Sequence, residues 1–186
     1  MKRTILTALA ALMLSLSAQA QYPVYLHSHN DYAKSAPFWM AYSQKVRTVE
    51  CDMFHIGGTK FLIGHEKSDF SYNQDFDTYY LNPIVQVFRY NGGHAWSDDP
   101  NRDIQLMIDI KSDDPDAFIK ALVKKLKKYP DVFDRSVNPH ACQVIITGKG
   151  PEPEDYYKYP AIIGFDGTID KEYTPEQLER VVLFSE

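Results

Sequence analysis

Pairs of ionisable residues stand two positions apart at the ends of apolar runs, a spacing that places both members of a pair on one face of a β-strand. The segments are Glu50-Cys51-Asp52, Asp109-Ile110-Lys111 and His27-Ser28-His29, and a further apolar run ends near His65. Because side chains alternate between the faces of a strand, each pair points to the same side. If the strands are neighbours in one sheet, their acidic groups converge on a site that can bind a cation.

The three acidic residues Glu50, Asp52 and Asp109 offer carboxylate oxygens, which are hard ligands. Such a set suits Mg²⁺ or Ca²⁺ better than Zn²⁺, so the predicted cofactor is one divalent cation of this kind. The alternative for each acid is that it faces solvent at a strand end or forms an ion pair with a lysine. Three acids at strand ends, beside two histidines, favour the metal site.

Basic residues near these acids are candidates for catalysis and substrate binding. His29 and His65 are predicted to act as general acid and base, because imidazole titrates near neutral pH. Lys111 can contact a phosphate oxygen as a point charge. It can equally form a salt bridge with Glu50 or Asp52.

The elements that must position these residues alternate between strands and helices. Apolar runs predict strands at residues 22–26, 47–54, 61–63, 104–110, 142–147, 161–165 and 181–184. Helical spacing and capping signals predict helices at 37–45, at 81–90, from Pro115 with Asp113 or Asp114 as N-cap, and from Thr174. This alternation is typical of a parallel sheet covered by helices, with polar residues gathered where the strands end.

The predicted fold class is therefore α/β, and the predicted architecture is a TIM-type (β/α) barrel. A closed barrel has eight parallel strands and typically about 250 residues. This chain has 186 residues. It offers about six of the eight strands that such a barrel needs, because the strand at 61–63 reads as an insertion. We therefore expect an incomplete barrel whose chain is truncated at its C-terminus.

The first 20 residues predict a signal peptide, and residues 21–186 predict the barrel domain. Lys2 and Arg3 precede an apolar stretch from Ile5 to Leu16, and Ala18-Gln19-Ala20 is a small-residue cleavage motif. This pattern predicts export to the periplasm or the cell exterior. The stretch is too short for a transmembrane helix, and no later stretch is long and apolar enough for one.

Charge and cysteine content limit the partners of the chain. With 25 acidic and 20 basic residues the net charge is −5, and the absence of a basic run argues against binding to nucleic acid. An anionic substrate is still compatible with this charge if a metal supplies positive charge locally. Cys51 and Cys142 lie in strand-like runs, where buried free thiols are expected in preference to a disulfide.

The ordered motifs resemble those of the PLC-like phosphodiesterase superfamily, which includes glycerophosphodiester phosphodiesterases and venom sphingomyelinase D-type phospholipases. The resemblance rests on His29, Glu50-x-Asp52, Gly64-His65 and Asp109-x-Lys111, in that order. The His29-Asn30-Asp31-Tyr32 form is most similar to a bacterial and fungal branch of phosphodiesterase-like proteins.

This resemblance implies a TIM-type barrel, one cation held by the three acids, and the two histidines as the acid–base pair. It also implies that the metal and Lys111 neutralise a phosphodiester, which is a small molecule or a lipid. Asn30 stands where glycerophosphodiesterases have a phosphate-binding arginine. We assign Asn30 to substrate binding, and the headgroup of the substrate stays open.

Two alternatives belong to other functional classes. PHP-type phosphoesterases and amidohydrolases also begin with a His-x-His motif, but they bind two or three metals and need histidines on later strands. The later strand ends of this chain offer Asp109, Thr147, Asp166 and Ser185. The second alternative is a secreted binding module, because 13 Tyr and 10 Phe, several of them in the loops at 68–80 and 88–96, could stack on sugars.

Overall fold

The computed structural model describes residues 24–69 and 74–185, which form one curled sheet with helices packed against it. The strands are β1 (His27–Ser28), β2 (Thr48–His55), β3 (Phe61–Ile63), β4 (Gln105–Ile110), β5 (Gln143–Gly148), β6 (Ile163–Thr168) and β7 (Val181–Ser185). The α-helices are α1 (Trp39–Ser43), α2 (Asn82–Tyr90), α3 (Pro115–Leu126), α4 (Pro130–Phe133) and α5 (Pro175–Leu178). Short 3₁₀ helices lie at Asp31–Ala33, Lys67–Asp69 and Pro153–Lys158, and a π-helical turn, Asp77–Leu81, leads into α2.

The strand order brings two separate chain segments to one edge of β2. Strands β1, β2, β4, β5, β6 and β7 run parallel in that order, and β3 pairs antiparallel with β2. Because β4 pairs with β2 from Thr48 to Met53, β1 and β3 must share the opposite edge. Strand β1 covers its first two residues and β3 covers residues 53–55. The segments that follow β1 and β3 therefore both begin beside Glu50 and Asp52.

The predicted architecture, an incomplete TIM-type barrel, is wrong, although helices and parallel strands do alternate. Strands β1 and β7 lie at opposite ends of the strand order, and no pairing joins them in the part of the chain that the structure describes. Six parallel strands curl through the natural twist of a sheet, but a barrel of this type closes only with eight. The result is an open half-barrel with a concave and a convex face.

The hydrophobic core lies between the convex face of the half-barrel and the helices that cover it. Alternate residues of β2, β4 and β5 belong to one buried apolar cluster, among them Val49, Cys51 and Ile108. Helices cover this face, and the opposite set of alternate residues, which includes Glu50 and Asp52, lies on the concave face. The alternation in the sequence therefore separates core residues from site residues.

Helix α3 is confirmed where the sequence predicts it. Phe118 and Leu122 are fully buried in the core. The side chain of Asp114 accepts a hydrogen bond from the Ala117 N–H, so Asp114 rather than Asp113 is the N-cap. The helix predicted from Thr174 is confirmed too, with a complete capping box between Thr174 and Gln177.

The first strand begins later than predicted. Tyr22 lies outside the described residues, and Val24 to Leu26 are exposed and form no strand. Strand pairing begins only at His27, opposite Thr48. The apolar composition of residues 22–26 is therefore a misleading signal, because the pairing edge of β2 determines where β1 forms.

The cysteine and membrane predictions agree with the described residues. Cys51 and Cys142 are buried free thiols, and burial raises the pKa of the Cys142 thiol to about 12. Within residues 24–69 and 74–185, no helix has the length and hydrophobicity needed to cross a bilayer.

Candidate metal centre and cleft

The three predicted metal ligands converge on the concave face of the sheet. Asp52 on β2 is in register with Asp109 on β4, which is in turn in register with Thr147 on β5. Glu50 precedes Asp52 by two residues and shares its face. One ligand oxygen from each of Glu50, Asp52 and Asp109 lies within 4.8 Å of the others. The structure therefore brings these acids together, and their binding of a cation stays a prediction.

The surroundings of Asp52 fit a cation. This residue is 1% exposed, and its Oδ2 accepts hydrogen bonds from the Tyr32 hydroxyl at 3.0 Å and from Nδ1 of His65 at 2.7 Å. Its Oδ1 is buried, with no hydrogen-bond partner among the described residues. An unpaired buried carboxylate oxygen is costly. Mg²⁺ or Ca²⁺ would satisfy it, so the donor set fits a hard divalent cation.

Glu50 is oriented by His27. The Nε2 atom of His27 lies 2.8 Å from Oε2 of Glu50. Burial raises the pKa of Glu50, but the hydrogen bond with His27 and the electrostatic effect of the nearby basic residues outweigh this, and the net pKa lies below its ordinary value. The carboxylate form needed for metal binding is therefore favoured. The sequence signal for His27 was its alternation with His29, but its role as partner of Glu50 was not predicted.

Lys111 forms one of the two ion pairs that the sequence left open, the one with Asp52, and a closer ion pair with Asp109 that was not predicted. Its Nζ lies 2.8 Å from Oδ2 of Asp109 and 3.6 Å from Oδ2 of Asp52. Burial lowers the pKa of Lys111, but these two carboxylates outweigh that effect and raise it overall. Burial also raises the pKa of Asp109, and Lys111 offsets this only in part. A contact between Lys111 and a phosphate stays a prediction.

Gly148 makes room for the carboxylate of Asp109. It has a φ of +72°, and a Cβ atom placed there would lie 1.9 Å from Oδ1 of Asp109. Any other residue would therefore push the carboxylate away and strain the backbone. This residue was not predicted from the sequence, where its only signal is a glycine directly after the apolar run at 142–147.

The two predicted catalytic histidines follow β1 and β3, the two strands that share one edge of β2. His29 follows β1 and lines the same cleft as Glu50 and Asp109. His65 follows β3, and its ring donates from Nδ1 to Asp52 while the side chain stays 58% exposed. Because the carboxylate can only accept, Nδ1 carries the proton, and Nε2 of His65 is left to exchange a proton with another molecule. The catalytic role of both residues stays a prediction.

A buried carboxylate fixes the turn between β1 and α1. Asp31 is 0% exposed. It accepts hydrogen bonds from the Phe38 N–H at 2.5 Å, the Ser28 hydroxyl at 2.8 Å and the Tyr80 hydroxyl at 3.1 Å. This anchor sets the path of the chain that carries His29. The sequence does not reveal this role of Asp31, because its partner Tyr80 lies 49 residues further along the chain.

A cleft of about 500 Å³ opens on the concave face beside the acids. Its walls are formed by His27, His29, Thr48, Glu50, Met107, Asp109, Thr147, Gly148, Asp166, Leu183, Phe184 and Ser185. Of the predicted catalytic and substrate-binding residues, His29 is one of them, whereas Asn30, His65 and Lys111 are not. Asn30 has a left-handed φ of 47°, and its Oδ1 is buried without a partner in the described part of the chain. The predicted role of Asn30 in substrate binding therefore stays a prediction with no contact to the cleft.

A second cation site has no support in the residues that the structure describes. Among them, Glu50, Asp52 and Asp109 form the one group of three His, Cys, Asp or Glu side chains whose ligand atoms converge. The PHP-type and amidohydrolase alternative needs two or three metals. A second group of this kind is not found within residues 24–69 and 74–185, and this alternative stays a prediction.

Comparison with known proteins identifies a family. The model of the AIM6-like phosphodiesterase domain matches residues 16–153. Altered inheritance of mitochondria protein 6 of Eremothecium gossypii is 28% identical over 148 residues, which are 70% of this chain and 38% of the relative. Its homolog in Arthroderma benhamiae is 28% identical over 153 residues, which are 69% of this chain and 48% of the relative.

A third relative, from Kluyveromyces lactis, is 24% identical over 166 residues, with 72% of this chain and 40% of the relative covered. This chain thus spans less than half the length of the curated relatives that it matches. No solved structure gives a significant match.

The predicted export is wrong by the same comparison. The relatives are named for the inheritance of mitochondria, which points away from the periplasm or the cell exterior. The predicted signal peptide, residues 1–20, lies outside the described residues, and the boundary at residue 20 stays a prediction.

The resemblance to the PLC-like superfamily is supported only at a coarser level. The match is to a phosphodiesterase-like domain and does not single out the glycerophosphodiesterase branch. It covers about three quarters of the chain, from before β1 to the 3₁₀ helix after β5. All the predicted metal-binding, catalytic and substrate-binding residues lie inside the matched range. The chain therefore belongs to the AIM6-like phosphodiesterase domain family.

Proposed function

We propose that this domain is a metal-dependent phosphodiesterase in which Glu50, Asp52 and Asp109 hold one Mg²⁺ or Ca²⁺. The observation that carries the proposal is that the two carboxylate oxygens of Asp52 have different surroundings. Its Oδ2 takes two donors, whereas its buried Oδ1 has no partner among the described residues. The motif order shared with the PLC-like superfamily supports the same reading. The proposed substrate is a small-molecule or lipid phosphodiester.

The residues around the acids have matching roles in this reaction. The bound cation would supply positive charge that polarises the phosphoryl oxygens. Lys111 adds a point charge beside Asp109. Nε2 of His65, whose ring is held by Asp52, removes a proton from the attacking water or substrate hydroxyl. His29, at the wall of the cleft, protonates the leaving alkoxide.

Cation binding is tested by the melting temperature, which does not depend on turnover. Mg²⁺ or Ca²⁺ at a concentration one hundred times Kd should stabilise the protein by about 2.7 kcal/mol. The variants Glu50→Gln and Asp109→Asn should lose this stabilisation, because each removes one ligand charge. Asp170→Asn, which changes an exposed aspartate outside the acid cluster, is the matched control and should keep it.

Turnover is tested with bis(4-nitrophenyl) phosphate, with and without EDTA. We expect EDTA to abolish release of nitrophenol, and His65→Ala to slow it by about 10²- to 10⁴-fold because a general base is lost. His55→Ala removes a ring that hydrogen-bonds to the Gly58 carbonyl and lies beside Phe61, and it should leave the rate unchanged. Turnover that survives EDTA or the loss of His65 would contradict the proposal. Cation binding with no turnover of any diester would favour a binding module.

A further inference from the structure

Polar side chains on the concave face extend from Glu50, Asp52 and Asp109 across the neighbouring strands to the far wall of the cleft. Thr147 stands next to Asp109 in register, and its hydroxyl donates to Oδ2 of Asp166 on β6 at 2.9 Å. The hydroxyl of Ser185 on β7 donates to the same oxygen. Thr147, Asp166 and Ser185 all line the cleft. The proposed chemistry at the cation does not use any of them.

This second group offers hydrogen-bond acceptors and no free donor. Oδ1 of Asp166 is buried, with no hydrogen-bond partner in residues 24–69 and 74–185. The hydroxyl hydrogens of Thr147 and Ser185 already point at Oδ2, so these two oxygens keep only their lone pairs. A ligand that adds a donor would satisfy the group. A ligand without one would leave a buried carboxylate oxygen unpaired, which is costly.

The distance between the two groups suits one substrate molecule. Neighbouring strands lie about 4.8 Å apart, so Asp109 on β4 and Asp166 on β6, two strands away, are separated by about 10 Å along the sheet. A phosphate bound near Asp109 would carry its alcohol substituent across Thr147. A donor two carbons beyond the ester oxygen then comes within reach of Asp166.

We propose that Thr147, Asp166 and Ser185 form a second subsite, which binds a hydroxyl or a primary ammonium group on the alcohol portion of the phosphodiester. This inference rests on the proposed function and specifies its substrate class. It also predicts discrimination against alkyl and quaternary ammonium substituents, since neither can donate a hydrogen bond.

The test measures binding of three small diesters by isothermal titration calorimetry, with the cation saturating. The ligands are diethyl phosphate, ethyl 2-hydroxyethyl phosphate and 2-aminoethyl ethyl phosphate. The unmodified chain should bind each donor-bearing ligand about tenfold or more tightly than diethyl phosphate, as expected for hydrogen bonds to a charged group. Asp166→Ala should bring these ratios close to one. Asp170→Ala, an exposed aspartate a few residues along the chain, should keep them.

A second substitution distinguishes the two possible headgroups and guards against misfolding. In Asp166→Asn, an amide nitrogen in place of Oδ1 can donate to a hydroxyl but cannot accept from an ammonium. We therefore expect this variant to lose its preference for the aminoethyl ligand and to retain part of its preference for the hydroxyethyl ligand. Circular dichroism melting checks that both variants fold.

The outcomes separate this inference from the proposed function. Equal Kd values for the three diesters in the unmodified chain, with cation-dependent turnover intact, would overturn the subsite alone. Ratios that stay unchanged in both Asp166 variants would do the same. If no diester binds and no cation stabilises the protein, the subsite and the proposed function both fail.

Discussion

The carboxylate of Asp109 occupies its position only because residue 148 has no side chain. A Cβ atom at Gly148 would lie 1.9 Å from Oδ1 of Asp109, far inside van der Waals contact. Lys111 holds the other oxygen, so the carboxylate is confined from two sides. A residue on β5 thus determines where a candidate metal ligand on β4 can lie.

We predict that Gly148→Ala weakens cation binding by about tenfold or more, the range seen when a group that orients a metal ligand is removed. The physical reason is that the new methyl group displaces the Asp109 carboxylate. Gly150→Ala is the matched control, because a Cβ there meets Ile146 at an ordinary 3.5 Å. The measurement is the cation concentration that gives half of the rise in melting temperature. Equal values for the two variants would contradict the role of Gly148.

For single residues, the sequence predicted which acidic side chains share a face of the sheet, but not which residues contact them. Glu50, Asp52 and Asp109 were predictable, because two-residue spacing in an apolar strand places them on one face. The role of Tyr32 was not predictable, because its hydrogen bond to Asp52 depends on how the turn after β1 folds. The role of Gly148 was not predictable either, because its close approach to Asp109 results from the register between β4 and β5.

The secondary-structure elements differ in how far local sequence determines them. Helix α3 carries its own signals, namely a proline at its start, an N-cap and a buried apolar stripe. Strand β1 has only two residues and exists because β2 provides a pairing edge. The helix was therefore predictable in type and start, whereas the strand was placed too early.

The capping assignment leads to a test at the level of one helix. Asp114→Ala should lower the free energy of unfolding by about 1 kcal/mol, because the Ala117 N–H loses its acceptor. Asp113→Ala is the control. Its carboxylate is solvent-exposed, and its ion pairs among the described residues are with Lys67 and Lys149, which are also exposed, so its loss should have a smaller effect. Urea denaturation of both variants measures the difference, and a larger loss for Asp113→Ala would contradict the assignment.

The molecule as a whole is an open sheet whose centre is better packed than its margins. Strands β2 and β4 are almost entirely buried, whereas the residues of β7 are half-buried or exposed. Local opening costs least where few apolar contacts are lost. Stability should therefore fall from the middle of the half-barrel toward its two edges.

Hydrogen exchange followed by mass spectrometry can measure this gradient. We expect amides of β4 to exchange only through global unfolding, and amides of β7 to exchange at least tenfold faster because they open locally. The 3₁₀ helix Lys67–Asp69 has no buried residue, so its amides should show the fastest exchange and serve as an internal reference. Equal protection of β4 and β7 would contradict this picture and would indicate that the edge strand is covered in solution.

The shape of the sheet was only partly predictable from the sequence. Alternating strands and helices predict a parallel sheet, and the count of about six strands predicts that it is incomplete; both features are present. The stagger between strands, which also determines whether and how a sheet closes, is set across the entire molecule, and no local signal records it. The export prediction failed for a related reason, because it rested on the composition of a short leader-like segment alone.

The buried carboxylate of Asp31, which fixes the turn between β1 and α1, limits how that turn can be reproduced in another protein. This carboxylate takes hydrogen bonds from an amide seven residues ahead and from a phenol that lies 49 residues away in the chain. A synthetic peptide that copied only His27 to Tyr32 would lack both donors, and water would solvate the carboxylate instead. Transplanting the histidine-bearing turn into a new scaffold would therefore require importing the Phe38 amide and the Tyr80 hydroxyl along with it.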